Sequence, residues 1–337
     1  MVNVGVIGTS WITDEFIKCA SLIDEFKLNA VYSRSEEKAN VFANKYGVTN
    51  VFTNLENMAK SNDIDAVYVA SPNSLHSEQS ILFLNNKKHV LCEKAIASNL
   101  KELNAMIDAA KSNDVLLMEA MKTTFLPNFK VIEDNIHKLG KIRRYFTSYC
   151  QYSSRYDFYK EGKSVNTFDP KFSNGSIMDI GIYCIEPLVK LFGKPKDIKA
   201  SSLKLPSGVD GEGSLILSYE DMDGIIIHSK ISNSYLPSEI QGEKGTMVID
   251  KINSPEKIKI IYRNGETEEL SASQLKETMY YEAKEFIDLV NSGKRESKVN
   301  SFNQSIISVG IIEEARRQTG IQFPSDPEKQ LPDSKCQ

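Results

Sequence analysis

Six short apolar runs, each separated from the next by a helix-length segment, fill the first 120 residues. No other feature constrains the fold as much. The runs are "VNVGVI", "LNAVYS", "NVFT", "DAVYVAS", "KHVLCE" and "VLLME". They are rich in valine and leucine and do not alternate with polar residues, as expected of strands covered on both faces. The intervening segments carry helical spacing, for example Leu100, Leu103, Met106, Ile107 and Ala110. Strand and helix in strict alternation predict an α/β fold built on a doubly wound parallel sheet.

The pattern changes after Met121, which predicts one domain over residues 1–121 and a second over 122–337. A helix is expected over Pro127–Leu139, and "KIRRYFTSYCQY" then alternates like a half-exposed strand. Between Ile198 and Leu270, strand-like runs are separated by Gly, Asp-Gly or Asn-Gly signals at hairpin-length gaps. Parallel strands would need helical crossovers, so the second domain should be α+β with a large, mainly antiparallel open sheet. Tyr280–Asn291 and Ser305–Gln318 read as amphipathic closing helices, and the proline-broken tail after Gly320 as a strap or frayed end. The broad sheet face with few helices to cover it predicts a homodimer or homotetramer assembled through that face.

Composition narrows the function. The net charge is −4 with no basic block, which argues against nucleic acid or an anionic membrane as the main partner. No apolar stretch approaches the roughly 20 residues that span a bilayer, and the amino terminus enters a strand at once, leaving no room for a signal peptide. Five scattered cysteines without a C-x-x-C, and four histidines without H-x-x-x-H spacing, fit a reducing, cytoplasmic setting and no metal site.

The first strand leads into "GTSWIT", Gly8 to Thr13. A dinucleotide fingerprint expects further glycines two and five residues after Gly8, where this chain has Ser10 and Thr13. Gly8 can still make the sharp turn, Ser10 adds a hydroxyl donor, and Thr13 is small enough to pack under the strand. A pyrophosphate would then meet the turn Gly8, Thr9, Ser10, Trp11 and Ile12, with Trp11 either covering it or packing as an ordinary aromatic. At the end of the second strand, where NAD-binding sheets place an acid for the ribose 2′-hydroxyl, stand Ser33 and Arg34. An arginine can pair with a 2′-phosphate that a carboxylate would repel, which favours NADP over NAD.

The fourth strand ends in "ASPNSLH", bringing Ala70, Ser71, Pro72, Asn73 and His76 to the carboxyl edge of the sheet. The fifth ends in Glu93-Lys94 at the same edge, where ligands bind in open sheets. A glutamate and a lysine closing an almost wholly apolar strand are hard to explain by packing. Here the chain resembles the glucose–fructose oxidoreductase / inositol 2-dehydrogenase family, which includes trans-dihydrodiol dehydrogenase. The family's Glu-Lys-Pro is similar to Glu93-Lys94-Ala95, its "GGALMDxGxY" to "NGSIMDIGIY" at Asn174–Tyr183, and its "EIxGxKGT" to "EIQGEKGT" at Glu239–Thr246. Departures are Ala95 for the proline, Ser10 for the middle glycine, and Lys122 with Thr124-Phe125 where relatives commonly carry a tryptophan and "RF" in a stretch expected to line the substrate pocket.

The resemblance implies a Rossmann domain, a nicotinamide dinucleotide held by the strand-end residues named above, and a sugar, polyol or cyclic diol as substrate. It also implies that an open sheet makes the oligomer interface. Among the residues, Lys94, Asp179 and Tyr183 can move the hydroxyl proton of a secondary alcohol. Asp179 and Tyr183 are four apart and share a face if both are helical. A phenol with a pKa of about 10 needs a cationic neighbour to act as a base near neutrality. Tyr183 is therefore expected as proton donor and acceptor, Lys94 as the cation beside it that also binds the substrate oxygen, and Asp179 as a substrate or orienting contact. Relatives with inositol substrates carry histidine at the position of Tyr183, which points to the sugar and dihydrodiol branch. Two other readings stay open: a non-catalytic dinucleotide-binding sensor, and a redox-assisted sugar lyase or glycosidase that recycles its cofactor internally.

Overall fold

The computed structural model describes residues 1–327. Cys336 and the end of the predicted tail lie outside the described residues. Six strands, β1 (Val2–Ile7), β2 (Phe26–Tyr32), β3 (Asn50–Phe52), β4 (Ala66–Val69), β5 (His89–Glu93) and β6 (Leu117–Ala120), coincide with the six apolar runs. They form a parallel sheet of order β3-β2-β1-β4-β5-β6. The order reverses between β1 and β4, so the loops after these two strands open a crevice at the carboxyl edge. The helices α1 (Trp11–Ala20), α2 (Glu36–Lys45), α3 (Leu55–Lys60), α4 (His76–Asn85) and α5 (Leu100–Asn113) link them. All four residues of β4 are buried, as is every residue of β5 after His89. This double burial is why the runs lack polar alternation.

The chain continues through α6 (Pro127–Asn135), β7 (Ile142–Cys150), α7 (Ser154–Lys160) and α8 (Ile182–Phe192). The seven strands that follow, β8 (Asp197–Lys204), β9 (Asp210–Ser218), β10 (Asp223–Ser229), β11 (Ser238–Gly242), β12 (Gly245–Ile249), β13 (Ile258–Tyr262) and β14 (Thr267–Glu269), join β7 in an eight-stranded sheet. Neighbours pair antiparallel except β7 with β10, which run parallel. One face packs on α8 and on the final helix α10 (Phe302–Thr319). The other leaves Leu203, Ile216 and Ile261 exposed.

Two features differ from the sequence reading. The helix expected over Pro127–Leu139 is α-helical only to Asn135, and its last turn, Ile136–Leu139, tightens to a 3-10 helix before Gly140. The helix α9 (Tyr280–Asn291) has the expected bounds, but it leaves the second sheet. Met279, Ala283, Phe286 and Ile287 pack with Val2, Val4 and Phe16 in the core beside the first sheet. In the tail, Ile321 and Phe323 are buried, and Arg316 pairs with Asp326 (2.7 Å) while donating to the Ser98 carbonyl (2.8 Å). Residues 321–327 therefore strap the second domain's last helix to the loop after β5.

Candidate active site

Gly8 follows β1 with φ +105°, and a Cβ there would stand 2.7 Å from the Ala70 carbonyl oxygen. Any side chain at this position meets both a strained backbone and a collision, so the turn can only be this tight with glycine. Ser10 is the N-cap of α1, but its side chain makes no capping hydrogen bond. Its hydroxyl and the opening N–H groups of α1 stay available at a positive helix end. Thr13, one turn in, is fully buried. This cradle suits an anion of pyrophosphate type: a close backbone approach, free N–H donors and one hydroxyl. Trp11 is not packed in the core. It is largely exposed and lines the mouth of the cleft.

Ser33 and Arg34 directly follow β2, which borders β1. The Ser33 amide donates to the Phe52 carbonyl (3.2 Å) and Ser35 caps α2 by accepting from the Lys38 N–H (3.3 Å), so the backbone here is pinned. The Arg34 side chain is exposed and pairs with no acid among the described residues.

A cleft of about 760 Å³ runs along the carboxyl edge of the first sheet and under the second domain. Ala70, Ser71, Asn73, His76, Glu93 and Lys94 line its first wall. Several of these are structural. His76 is fully buried, with Nδ1 2.9 Å from the Ala95 carbonyl and Nε2 2.8 Å from the Ser71 carbonyl. It clamps the loops after β4 and β5 together, and burial lowers its pKa. Pro72 opens the short helical turn Asn73–Leu75. Asn73 spends its amide on the Ser173 carbonyl (2.9 Å) and Asn174 Oδ1 (3.2 Å), which ties the first domain to the second. Glu93 is buried, accepts from the Tyr68 hydroxyl, and has a raised pKa because of desolvation.

Lys94 closes β5 and reaches across the cleft. Its Nζ donates to the Asp179 carbonyl oxygen (2.6 Å) and to Asp179 Oδ1 (2.8 Å), and lies 5.0 Å from the centre of the Tyr183 ring. Ala95 is fully buried, and the peptide joining it to Lys94 is cis. Asp179 does not sit in a regular α-helix. It lies in a single π-helical turn, Ile177–Gly181, that runs into α8, and wider turns of this kind recur at functional sites. Asp179 and Tyr183 nevertheless both line the cleft. The Asp179 carboxylate caps no helix, because its two oxygens are taken by Lys94 and Lys230.

The second sheet holds this turn from beneath. Asp210 Oδ2 accepts from the Ile177 N–H (2.6 Å), and His228 Nδ1 meets the Ser176 hydroxyl (2.9 Å). A Cβ on Gly175 would stand 2.2 Å from Asp210 Oδ1, and one on Gly181 3.2 Å from the His228 ring. Gly181 therefore admits the imidazole of β10. Burial drops His228 to about 3, so it is a neutral packing group.

Tyr183 stacks edge-on against Tyr149 at 5.9 Å. Lys94 lowers the phenol's pKa, as expected, but burial outweighs it and the net shift is upward. Tyr183 is thus a neutral hydrogen-bond donor in this state. Lys122, Thr124 and Phe125 do not line the cleft. Lys122 donates to Thr278 Oγ1 (3.1 Å), and Thr124 is buried and donates to Asn300 Oδ1 (2.5 Å). The second wall comes instead from Tyr149, Gln151, Arg155, Thr167 and Lys230, none of which the sequence singled out. For Lys230 a signal existed, a charge closing the apolar run "GIIIHS", the same signal that marked Lys94.

The profile of an oxidoreductase family with an NAD-binding Rossmann fold matches residues 2–121, and that of the GFO/IDH/MocA C-terminal domain matches residues 135–248. The chain is 55% identical to the scyllo-inositol 2-dehydrogenase (NADP(+)) IolU of Bacillus subtilis, covering 97% of this chain and 99% of that one. It is 32% identical to the trans-1,2-dihydrobenzene-1,2-diol dehydrogenase of Danio rerio, over 96% and 98% of the two chains. Among solved structures, the aldose-aldose oxidoreductase of Caulobacter crescentus shares the fold with a TM-score of 0.82 at 21% identity, over 95% and 97% of the chains.

Proposed function

Because the chain belongs to the GFO/IDH/MocA oxidoreductase family, we propose that it is an NADP-dependent dehydrogenase of secondary alcohols on polyols, with an inositol as the leading substrate in place of the sugar or dihydrodiol that Tyr183 led the sequence to favour. The 55% identical relative acts, by its name, on scyllo-inositol with NADP(+), and its match runs the length of both chains. The observation that carries the reading is the contact of Lys94 with Asp179 and Tyr183 at the edge of the parallel sheet. It joins a strand end of the first domain to the family's second motif.

The residues divide the work as follows. The cofactor, when bound, supplies the hydride acceptor. Gly8, Thr9, Ser10, Trp11 and Ile12 form its phosphate cradle, Ser33 and Arg34 the 2′-phosphate site, and Ala70, Ser71, Asn73 and Glu93 the wall beside the reacting end. Pro72 and His76 shape that wall without touching the ligand. Lys94, held by Asp179, presents its remaining N–H to the substrate oxygen, and the Tyr183 phenol donates to the same oxygen. Its raised pKa keeps Tyr183 protonated, so in the reducing direction a proton is in place for the more basic alkoxide that forms. In the oxidising direction it depends on Lys94 and a cationic ligand ring to accept one. On this reading residues 1–121 carry the cofactor and supply Lys94, and 122–337 supply the other substrate contacts and the assembly, with α9 returning to brace the first sheet.

Purified protein given NADP+ and scyllo-inositol should accumulate reduced nicotinamide. A cleavage or elimination product formed without such accumulation would favour an internal redox cycle, and binding without any product would favour a sensor.

The exposed Leu203, Ile216 and Ile261 on the open sheet face, with Leu236 nearby, support a homodimer or homotetramer built through that face. Light scattering at micromolar concentration should give at least twice the chain mass, and Ile216→Glu should lower it. A monomeric wild type would refute this assembly. The four described cysteines are free, which supports a cytoplasmic setting.

A further inference from the structure

Lys230 gives the cleft a second ammonium that the chemistry at Lys94 and Tyr183 does not use. It directly follows β10, and its main chain is fixed: its N–H donates to the Gly211 carbonyl (2.8 Å), and its carbonyl accepts from the Ser153 N–H (2.8 Å). The side chain is only 8% exposed, yet it lines the cleft. Its Nζ contacts Asp179 Oδ2 and no other acceptor among the described residues.

An ammonium has three N–H donors. Asp179 takes one, and no acceptor among the described residues meets the other two, on a side chain that lines the cleft. A nearly buried cation with unmet donors is costly. Burial and the like charge of Lys94 bring Lys230 down to about 7. An oxygen ligand would relieve that cost. The neighbouring geometry says which oxygen. Asp179 holds Lys94 on one carboxylate oxygen and Lys230 on the other, so the two ammonium groups stand side by side over one wall.

We propose that Lys230 determines specificity by binding the oxygen on the carbon next to the reacting one, so that the cleft selects vicinal diols, including adjacent hydroxyls of a cyclic polyol, over isolated alcohols. This assignment rests on the dehydrogenase reading, in which Lys94 takes the reacting oxygen. A site that spends buried donors on a substrate hydroxyl rejects the analogue lacking it, because those donors then go unpaired.

The test compares trans-cyclohexane-1,2-diol with cyclohexanol on the protein with NADP+. Wild type should prefer the diol in kcat/KM by at least about tenfold. Lys230→Met should erase most of that preference, with the loss carried in KM for the diol, and Lys230→Arg should restore part of it. Lys230→Gln keeps a donor towards Asp179 without the charge, and it should show the same loss if the methionine variant does not fold. Quenching of bound NADPH fluorescence reads diol affinity without turnover and should show the same selective weakening. Equal losses on both alcohols, or an intact diol preference, would overturn the assignment. Should wild type reduce no NADP with any alcohol, the dehydrogenase reading fails, while the diol affinities of the NADPH complexes still decide the role of Lys230.

Discussion

Turnover should fall roughly 10²–10⁴-fold when Lys94 is replaced by methionine, and similarly when Tyr183 is replaced by phenylalanine, the range expected for a lost proton-transfer group. Neither change should cost the fold. In Lys94→Met the Asp179 carboxylate keeps Lys230, so no buried charge is left unpaired. In Tyr183→Phe the ring keeps its packing on Tyr149, and its hydroxyl bonds to no described residue. NADPH affinity, read by fluorescence, should therefore stay within a few-fold of wild type in Tyr183→Phe, while kcat collapses. The double variant should lose little more than the worse single one, since two groups acting on one oxygen fail as a unit. Near-native turnover in Tyr183→Phe would remove the phenol and leave Lys94 as the acid and base. Near-native turnover in both would return the protein to the sensor reading.

The parallel half of the molecule was legible because its central strands, β1, β4 and β5, are buried on both faces, which leaves near-continuous apolar runs that few other structures produce. The bounds of α9 were legible for a related reason: an amphipathic stripe marks a face that must be covered. That stripe does not say by what, so the return of Phe286 and Ile287 to the first domain could not be read from it. The parallel pairing of β7 with β10 was equally hidden, since hairpin-length gaps report only on neighbours in sequence. At the site, Lys94 stood out because its strand has no polar alternation to hide a charge. Lys230 carries the same signal more weakly, because the strand it follows alternates buried and half-buried residues. The π turn at Ile177–Gly181 leaves no local signal. Its anchors, Asp210 and His228, are 33 and 52 residues from their partners in sequence. The polar stretch Gln151–Arg155 carries no periodic pattern, so its place in the cleft wall depends wholly on the docking of the two sheets.

Arg34→Asp should reverse the cofactor preference. The turn after β2 leaves few groups free: Ser33 is bonded through its amide, Ser35 caps α2, and Glu36 and Glu37 occupy that helix's first turn. The acids suit the helix dipole but repel a phosphate. The exposed, unpaired Arg34 guanidinium at this strand end can instead meet a 2′-phosphate as a fork of two donors. Losing that charge-assisted contact costs about 1.5–3 kcal/mol, roughly 10–100-fold in Kd. Aspartate adds a third acid beside Glu36 and Glu37, so the loss for NADP should sit at or above the upper end of that range. A carboxylate in this position can also accept from a free ribose 2′-hydroxyl. NAD affinity should accordingly hold or improve while NADP affinity falls, and titration of NADPH and NADH fluorescence on the two proteins measures both. Unchanged or tighter NADPH binding in Arg34→Asp would remove Arg34 from the cofactor site, because the Gly8–Ile12 cradle, fitted to a pyrophosphate that both dinucleotides share, cannot itself tell them apart.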